Sequence, residues 1–138
     1  MALIESLFGV NTDLASFILR LGVGSLFMVH GYPKITSQRQ AGVGWMKSIG
    51  WPGGIIVFAG VAELFGGLAL ILGILTPIVA LLSALWMLST TWFASSKLKK
   101  KYVGGYELDI TLMLAALALA AIGGGAFSLD RLIGWQIL

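Results

Sequence analysis

Residues 55–75 read IIVFAGVAELFGGLALILGIL, a stretch whose one charged side chain is Glu63. A helix of that length, rising ~1.5 Å per residue, covers roughly 31 Å, about the thickness of a bilayer's hydrocarbon core. The stretch therefore predicts a membrane span with Glu63 near the midplane. A charged side chain there costs about 2.5–3.5 kcal/mol on insertion scales, so it needs a partner, a proton or a task.

The rest of the chain has the same character. Of 138 residues, 58% are hydrophobic and 11% charged, with a mean hydropathy of +0.95. A soluble domain carries roughly 25% charged residues, so this composition indicates an integral membrane protein. Four weakly charged runs, at about 14–32, 53–75, 77–94 and 106–123, are each long enough to cross. The expected fold is all-α: an integral membrane four-helix bundle with antiparallel neighbours, forming one domain over residues 1–138. The start of the chain carries Glu5 and Asp13 rather than a basic region, which argues against a cleaved signal peptide. The stretch Ser128 to Trp135 reads as a capped, short interfacial helix or turn, with Trp135 at headgroup depth.

Residue usage excludes several chemistries. Without cysteine there are no disulfides, thiolate metal sites or thiol relays. With His30 as the sole histidine, two-histidine haem ligation is impossible. The few carboxylates point to no metal centre and to no cofactor bound by this chain alone. The net charge of +3 resides in the loops and speaks of orientation rather than of nucleic acid. Lys34, Arg39, Lys47, Lys97, Lys99, Lys100 and Lys101 fall in the first and third loops, against Arg131 alone after the fourth span. The basic excess predicts that those loops are cytoplasmic and both termini outside. The lysine cluster also suits anionic lipid or an acidic partner.

Helical spacing assigns the buried faces. Ala59, Glu63, Gly66 or Gly67, and Leu70 form one stripe, with Gly60 and Gly67 a heptad apart beside it. Small residues let helices approach closely in lipid, so this stripe faces protein and Glu63 is buried between helices. In the first span Ser16, Arg20, Gly24, Phe27 and Gly31 share a spacing that turns Arg20 inward. An Arg20–Glu63 ion pair is the simplest way to satisfy both intramembrane charges, whether it only fixes register or also handles protons or ligands. At the opposite end, Glu107 aligns with Thr111, Ala115 and Ala118 on a small-residue stripe expected to face the bundle. His30, Lys34 and Glu107 can then meet near the cytoplasmic mouth, with Tyr32 and Tyr106 close by, as a candidate quinone or proton site. Asp109 reads as a helix-dipole partner. Trp45, Trp51 and Trp92 read as interfacial aromatics, and Trp86 and Phe93 carry no cofactor signal of their own.

These residues also carry a resemblance. Leu19-Arg20-Leu21-Gly22, His30-Gly31 and Lys34 are followed by Gly60-Val61-Ala62-Glu63-Leu64-Phe65-Gly66-Gly67, then Leu72-Gly73 and Thr76. Gly105-Tyr106-Glu107-Leu108 opens the fourth span and Phe127-Ser128-Leu129-Asp130 closes it. In order and spacing, over about residues 14–132, the chain resembles the DoxX family of membrane proteins. The resemblance implies four membrane helices associated with redox chemistry, some members being subunits of terminal quinol oxidases or thiosulfate:quinone oxidoreductases. Many relatives carry a histidine near the end of the third helix, where this chain has Trp92, Phe93 and Ala94-Ser95-Ser96. That departure weighs against a mechanism needing two histidines on that side.

Three functions follow as expectations. The first is an accessory subunit of a respiratory or quinone-linked redox complex, with quinone as candidate ligand and membrane lipid, other membrane subunits or further copies of the chain as partners. The second is an oligomeric transporter or channel for a small molecule or ion, in which Glu63 marks the pathway. The third is a structural scaffold in which the buried charges only set register.

Overall fold

The computed structural model describes residues 2–9 and 11–135. In chain order its α-helices are α1 (Ala2–Phe8), α2 (Thr12–Ile35), α3 (Arg39–Ser48), α4 (Gly54–Leu72), α5 (Thr76–Trp92), α6 (Glu107–Ile122) and α7 (Leu129–Leu132). A wider, π-type turn extends α5 through Lys97, and the segment Tyr102–Tyr106 leads into α6 across a kink at which Val103 and Gly104 leave helical geometry. Thr12–Ile35, Gly54–Leu72, Thr76–Lys97 and Tyr102–Ile122 are long and apolar enough to cross a membrane. The protein is thus an all-α, multi-pass membrane protein of four long helices with a short C-terminal helix.

Glycines set the closest contact. A Cβ on Gly24 of α2 would lie 2.6 Å from the Gly67 carbonyl oxygen of α4, and one on Gly67 would lie 2.5 Å from the Gly24 oxygen. One heptad along each helix, a Cβ on Gly31 would meet the Gly60 oxygen at 2.7 Å. No side chain fits in either place, so two glycine pairs bring the antiparallel backbones of α2 and α4 together. In lipid, where apolar burial gives helices little reason to associate, such close packing is the main source of attraction. Gly24 faces Gly67 and Gly31 faces Gly60, which fixes the register of the whole pair.

The second close pair is α5 with α6, where Ala80, Ala84 and Ala116 are buried. Val23 and Phe27 of α2, Leu70 of α4, Met87 of α5, and Leu112 and Leu119 of α6 join the two pairs in one core. The short turn between the second and third spans predicts a closely packed hairpin of α4 with α5. They are indeed antiparallel, yet they splay apart beyond the Gly73–Leu75 turn. The small faces of α4 and α5 are already committed, to α2 and α6 respectively, so a groove opens between α4 and α5.

That turn is held by remote residues. The buried Arg20 donates from Nη1 to the Ile71 carbonyl (3.0 Å) and from Nη2 to the Phe127 carbonyl (2.8 Å). Its guanidinium also lies 5.6 Å from the Phe17 ring centre. Asp130 accepts from the backbone N–H groups of Leu75 (2.6 Å) and Thr76 (2.8 Å). A cation thus serves the carbonyl end of α4 and an anion the amide end of α5, as the helix dipoles favour. Leu75 is left-handed at φ +48°, an unfavourable conformation for a side-chain-bearing residue, and the Asp130 contact fastens it. Gly73, at φ +73°, has no room for a Cβ, which would lie 2.5 Å from the Ser128 Cβ. Ser128 caps α7, accepting from Arg131 N–H at 3.3 Å, as its sequence suggests.

The first loop contains a helix that its two glycines, Gly42 and Gly44, conceal from propensity arguments. A Cβ on Gly42 would sit 2.9 Å from the Ile56 side chain, so α3 lies directly on α4. Trp45 and Trp51 then meet Phe93 edge-on, with ring centres 6.4 and 5.3 Å apart. These contacts bring the two basic segments to one end of the bundle, hereafter the basic end.

Candidate functional site

Glu63 is the central residue of α4, with nine residues of that helix on either side, and only 4% of it is exposed. Its two carboxylate oxygens accept from the Lys34 ammonium at 2.7 and 2.6 Å. Trp86 Nε1 of α5 donates to the same carboxylate at 3.1 Å. One carboxylate therefore ties together α2, α4 and α5. Lys34 keeps partial contact with the surroundings, at 27% exposure, so the pair is a buried anion held by a cation at the rim.

The Arg20–Glu63 pair expected from helical spacing does not form. In the register set by the glycines, Arg20 lies level with Ile71, eight residues and ~12 Å from Glu63 along α4. The direction of the side chains makes the gap larger. On any helix the Cα–Cβ bonds tilt toward its N-terminus. Arg20 consequently leans away from the midplane, to the Ile71 and Phe127 carbonyls. Lys34 leans toward the midplane and Glu63, on an antiparallel helix, leans toward the basic end. Those two meet although Lys34 sits at the last turn of α2.

A cavity of about 160 Å³ opens beside this pair and is lined by Leu26, Phe27, His30, Lys34, Glu63, Met87, Thr90, Leu108, Asp109 and Leu112. It brings His30 and Lys34 together, as the sequence predicts, but the acid opposite them is Asp109, not Glu107. Glu107 instead accepts from the Gly104 N–H at 3.0 Å, a local bond at the start of its own helix. Tyr32 and Tyr106 are likewise absent from the cavity lining. The buried stripe of α6 runs through Leu112, Ala116 and Leu119, and Asp109 continues it. Thr111, Ala115 and Ala118 belong to a different face. α6 is apolar all around, so its sequence gives no polar–apolar contrast from which the inward face can be phased.

Trp86, which has no cofactor signal of its own in the sequence, is a member of the site through its bond to Glu63. A tryptophan within a span, distant from both headgroup belts, still carries an N–H that requires an acceptor, and this was the available signal. The site can hold a buried carboxylate at the middle of α4, offers an ammonium and an imidazole as donors, and connects them to a second carboxylate at the basic end. Among the described residues, no cluster of three or more His, Asp or Glu side chains lies close enough to hold a metal ion.

A family profile described as DoxX matches residues 15–96. The match takes in Arg20, His30, Lys34, Glu63 and Trp86 and ends before Asp109. No match was found among curated proteins or among solved structures. The profile covers more than half of the chain, over the helices that build the glycine-packed pair and the buried carboxylate, and the chain belongs to the DoxX family.

Proposed function

We propose that this protein is an accessory membrane subunit of a quinone-linked redox complex, in which the Lys34–Glu63 pair and its cavity form a polar site at membrane depth. The observation that supports this reading is the placement of His30, Lys34, Glu63 and Asp109 around one cavity between α2, α4, α5 and α6. A cavity of about 160 Å³ compares with the roughly 150 Å³ that accommodates a benzene ring in an engineered protein core. Lys34 and His30 present donors to a carbonyl oxygen there, which is the donor set a quinone head requires. A bound quinone would supply electron and proton acceptance. The chain's own residues supply orientation and a place for the proton: Glu63 at the inner end, Asp109 and His30 at the basic end. Nothing in this set calls for the chain to carry a redox centre itself, which suits an accessory role. The seven cations at the basic end, Lys34 among them at the last turn of α2, support a cytoplasmic location for α3 and the 95–106 segment, with both termini outside.

The test is to purify the tagged chain with its native assembly, identify the co-purifying subunits and measure quinone-dependent turnover per assembled complex. The expected result is association with a redox subunit and loss of turnover in Glu63→Gln. A chain that migrates alone with no quinone dependence overturns the proposal. Loss of assembly in Glu63→Gln with unchanged turnover per complex assigns the pair to a scaffold. Proteoliposome flux that Glu63→Gln abolishes would instead identify a transporter.

A further inference from the structure

The groove between α4 and α5 shares two residues, Phe27 and Glu63, with the polar cavity. We propose that the ligand of the Glu63 site is a membrane-dissolved amphiphile that enters sideways from the lipid, its single hydrocarbon tail lying in this groove. This rests on the reading of the Lys34–Glu63 cavity as the site of the polar head.

The groove has a volume of about 480 Å³. Its lining runs from Phe58 to Ala69 on α4, eleven residues apart, which is ~16 Å of helix. On α5 it runs from Val79 to Trp86. The walls are apolar apart from Glu63, the Trp86 N–H and Ser83, whose hydroxyl is already donated to the Val79 carbonyl at 2.8 Å. The Glu63 carboxylate and the Trp86 N–H meet part-way along the groove, and the stretch from Phe65 and Leu82 to Ala69 and Val79 offers only hydrocarbon and aromatic surface. Phe58 and Trp86, edge to face at 6.0 Å, close the groove toward the basic end. Phe58, Phe65 and Leu82 are more than half exposed and form a rim open to lipid.

The size selects the occupant. A helix with side chains is about 10 Å across, so a 16 Å length of one occupies on the order of 1,200 Å³. Only side chains of one face of such a helix could enter the groove, whereas a single hydrocarbon chain fits along its whole length. Gly66 supplies a second argument. Gly60 and Gly67 are glycine because α2 lies against them, but a Cβ on Gly66 would meet nothing within 4 Å. Helix packing does not require that glycine, and its effect is to deepen the groove floor between Ala62 and Ala69. Trp86 connects with the head site only through Glu63: its ring lines the groove while its N–H holds the carboxylate that borders both spaces. An amphiphile seated here would have its tail against Trp86 and its head at Lys34.

The full chain in nanodiscs is titrated with a dimethoxy-methyl-benzoquinone bearing a decyl chain and with the same ring lacking it. The decyl compound should bind at least tenfold more tightly. Gly66→Leu, which fills the groove, should abolish that advantage and leave the affinity for the chainless ring unchanged. Val61→Leu, on an exposed part of α4, should change neither. Equal affinity for the two compounds, or an advantage that survives Gly66→Leu, overturns the tail groove while leaving the head site standing. Failure of both compounds to bind overturns the head site and this proposal with it. Because the chain lacks cysteine, Ala62→Cys provides a second readout should Gly66→Leu not fold. Its labelling by an apolar maleimide should be blocked by the decyl compound and not by the chainless ring. Protection by bulk phospholipid alone, or by a dimer of the chain, would assign the groove to those occupants and overturn the proposal.

Discussion

Lys34 and Glu63 are 29 residues apart in sequence and are joined by two contacts of 2.7 and 2.6 Å near the middle of the membrane-spanning part of α4. The lysine reaches down from the basic end and the glutamate reaches up to it. A pair arranged in this way is coupled energetically as well as geometrically, and double-mutant analysis can measure the coupling.

Lys34→Met leaves the carboxylate with Trp86 alone, and should destabilise the protein by about 3 kcal/mol or more. The double variant Lys34→Met/Glu63→Leu should recover most of that loss, because no unpaired buried charge remains. Arg20→Met combined with Glu63→Leu should be additive within about 0.5 kcal/mol, since these two sites share no contact. Unfolding curves in mixed micelles measure all of these. Strong coupling of Arg20 to Glu63 would contradict the observed pairing.

The glycine contacts make unequal demands. Gly67→Val must force the α2 and α4 backbones apart, with an expected loss of about 1–3 kcal/mol or failure to assemble. Gly66→Ala, one residue away, places its methyl in open space and should alter stability by no more than about 0.5 kcal/mol. A thermal-shift series over Gly24, Gly31, Gly60, Gly66 and Gly67 should therefore separate Gly66 from the other four.

Asp130→Ala removes the acceptor for the N–H groups of Leu75 and Thr76 and should cost about 1–3 kcal/mol for each group left unsatisfied. Asp130→Asn, which keeps one acceptor oxygen, should cost less. Amide hydrogen exchange at Leu75 and Thr76 localises the effect. Unchanged protection in Asp130→Ala would show that the cap does not hold the turn.

Two neighbouring acids on α6 should behave differently. Asp109→Asn alters the cavity shared with His30 and Lys34, and should reduce quinone-dependent turnover of the assembled complex. Glu107→Gln touches only the Gly104 turn and should leave turnover unchanged. Equal effects from the two substitutions would refute the assignment of Asp109 to the site.

The orientation is open to direct labelling because the chain has no cysteine of its own. Gln40→Cys and Lys99→Cys, both at exposed positions, should react with an impermeant maleimide only from the cytoplasmic side. Leu132→Cys should react only from outside. The reverse pattern would invert the topology.

The sequence was most legible where physics leaves one option. Runs near 20 apolar residues can only be membrane helices, and Gly60 with Gly67 can only serve a close approach, so the spans and the buried face of α4 were readable. The partner of Glu63 was not read correctly, because helical spacing gives the angle of a side chain but not its tilt along the axis. That tilt separates Arg20 from Glu63 and brings Lys34 to it. The face of α6 was hidden for a different reason: a helix surrounded by lipid and apolar protein shows no contrast around its circumference, so Glu107 and Asp109 exchanged roles. Asp130 acts across 54 residues to reach Thr76, and its short tail motif suggested nothing beyond a local turn.

The Asp130 contact also sets an order of events during synthesis. At 5–20 residues per second, the segment carrying Asp130 emerges roughly 3–11 s after Thr76. For that interval the newly made hairpin of α4 and α5 has a strained leucine at its tip and no acceptor for its leading amides. Arg20, made long before, likewise waits for the Phe127 carbonyl. This late-made turn therefore works as a latch: its arrival completes both ends of a hairpin inserted seconds earlier, and a nascent chain stalled before it would present an unfinished bundle to the membrane's proteases.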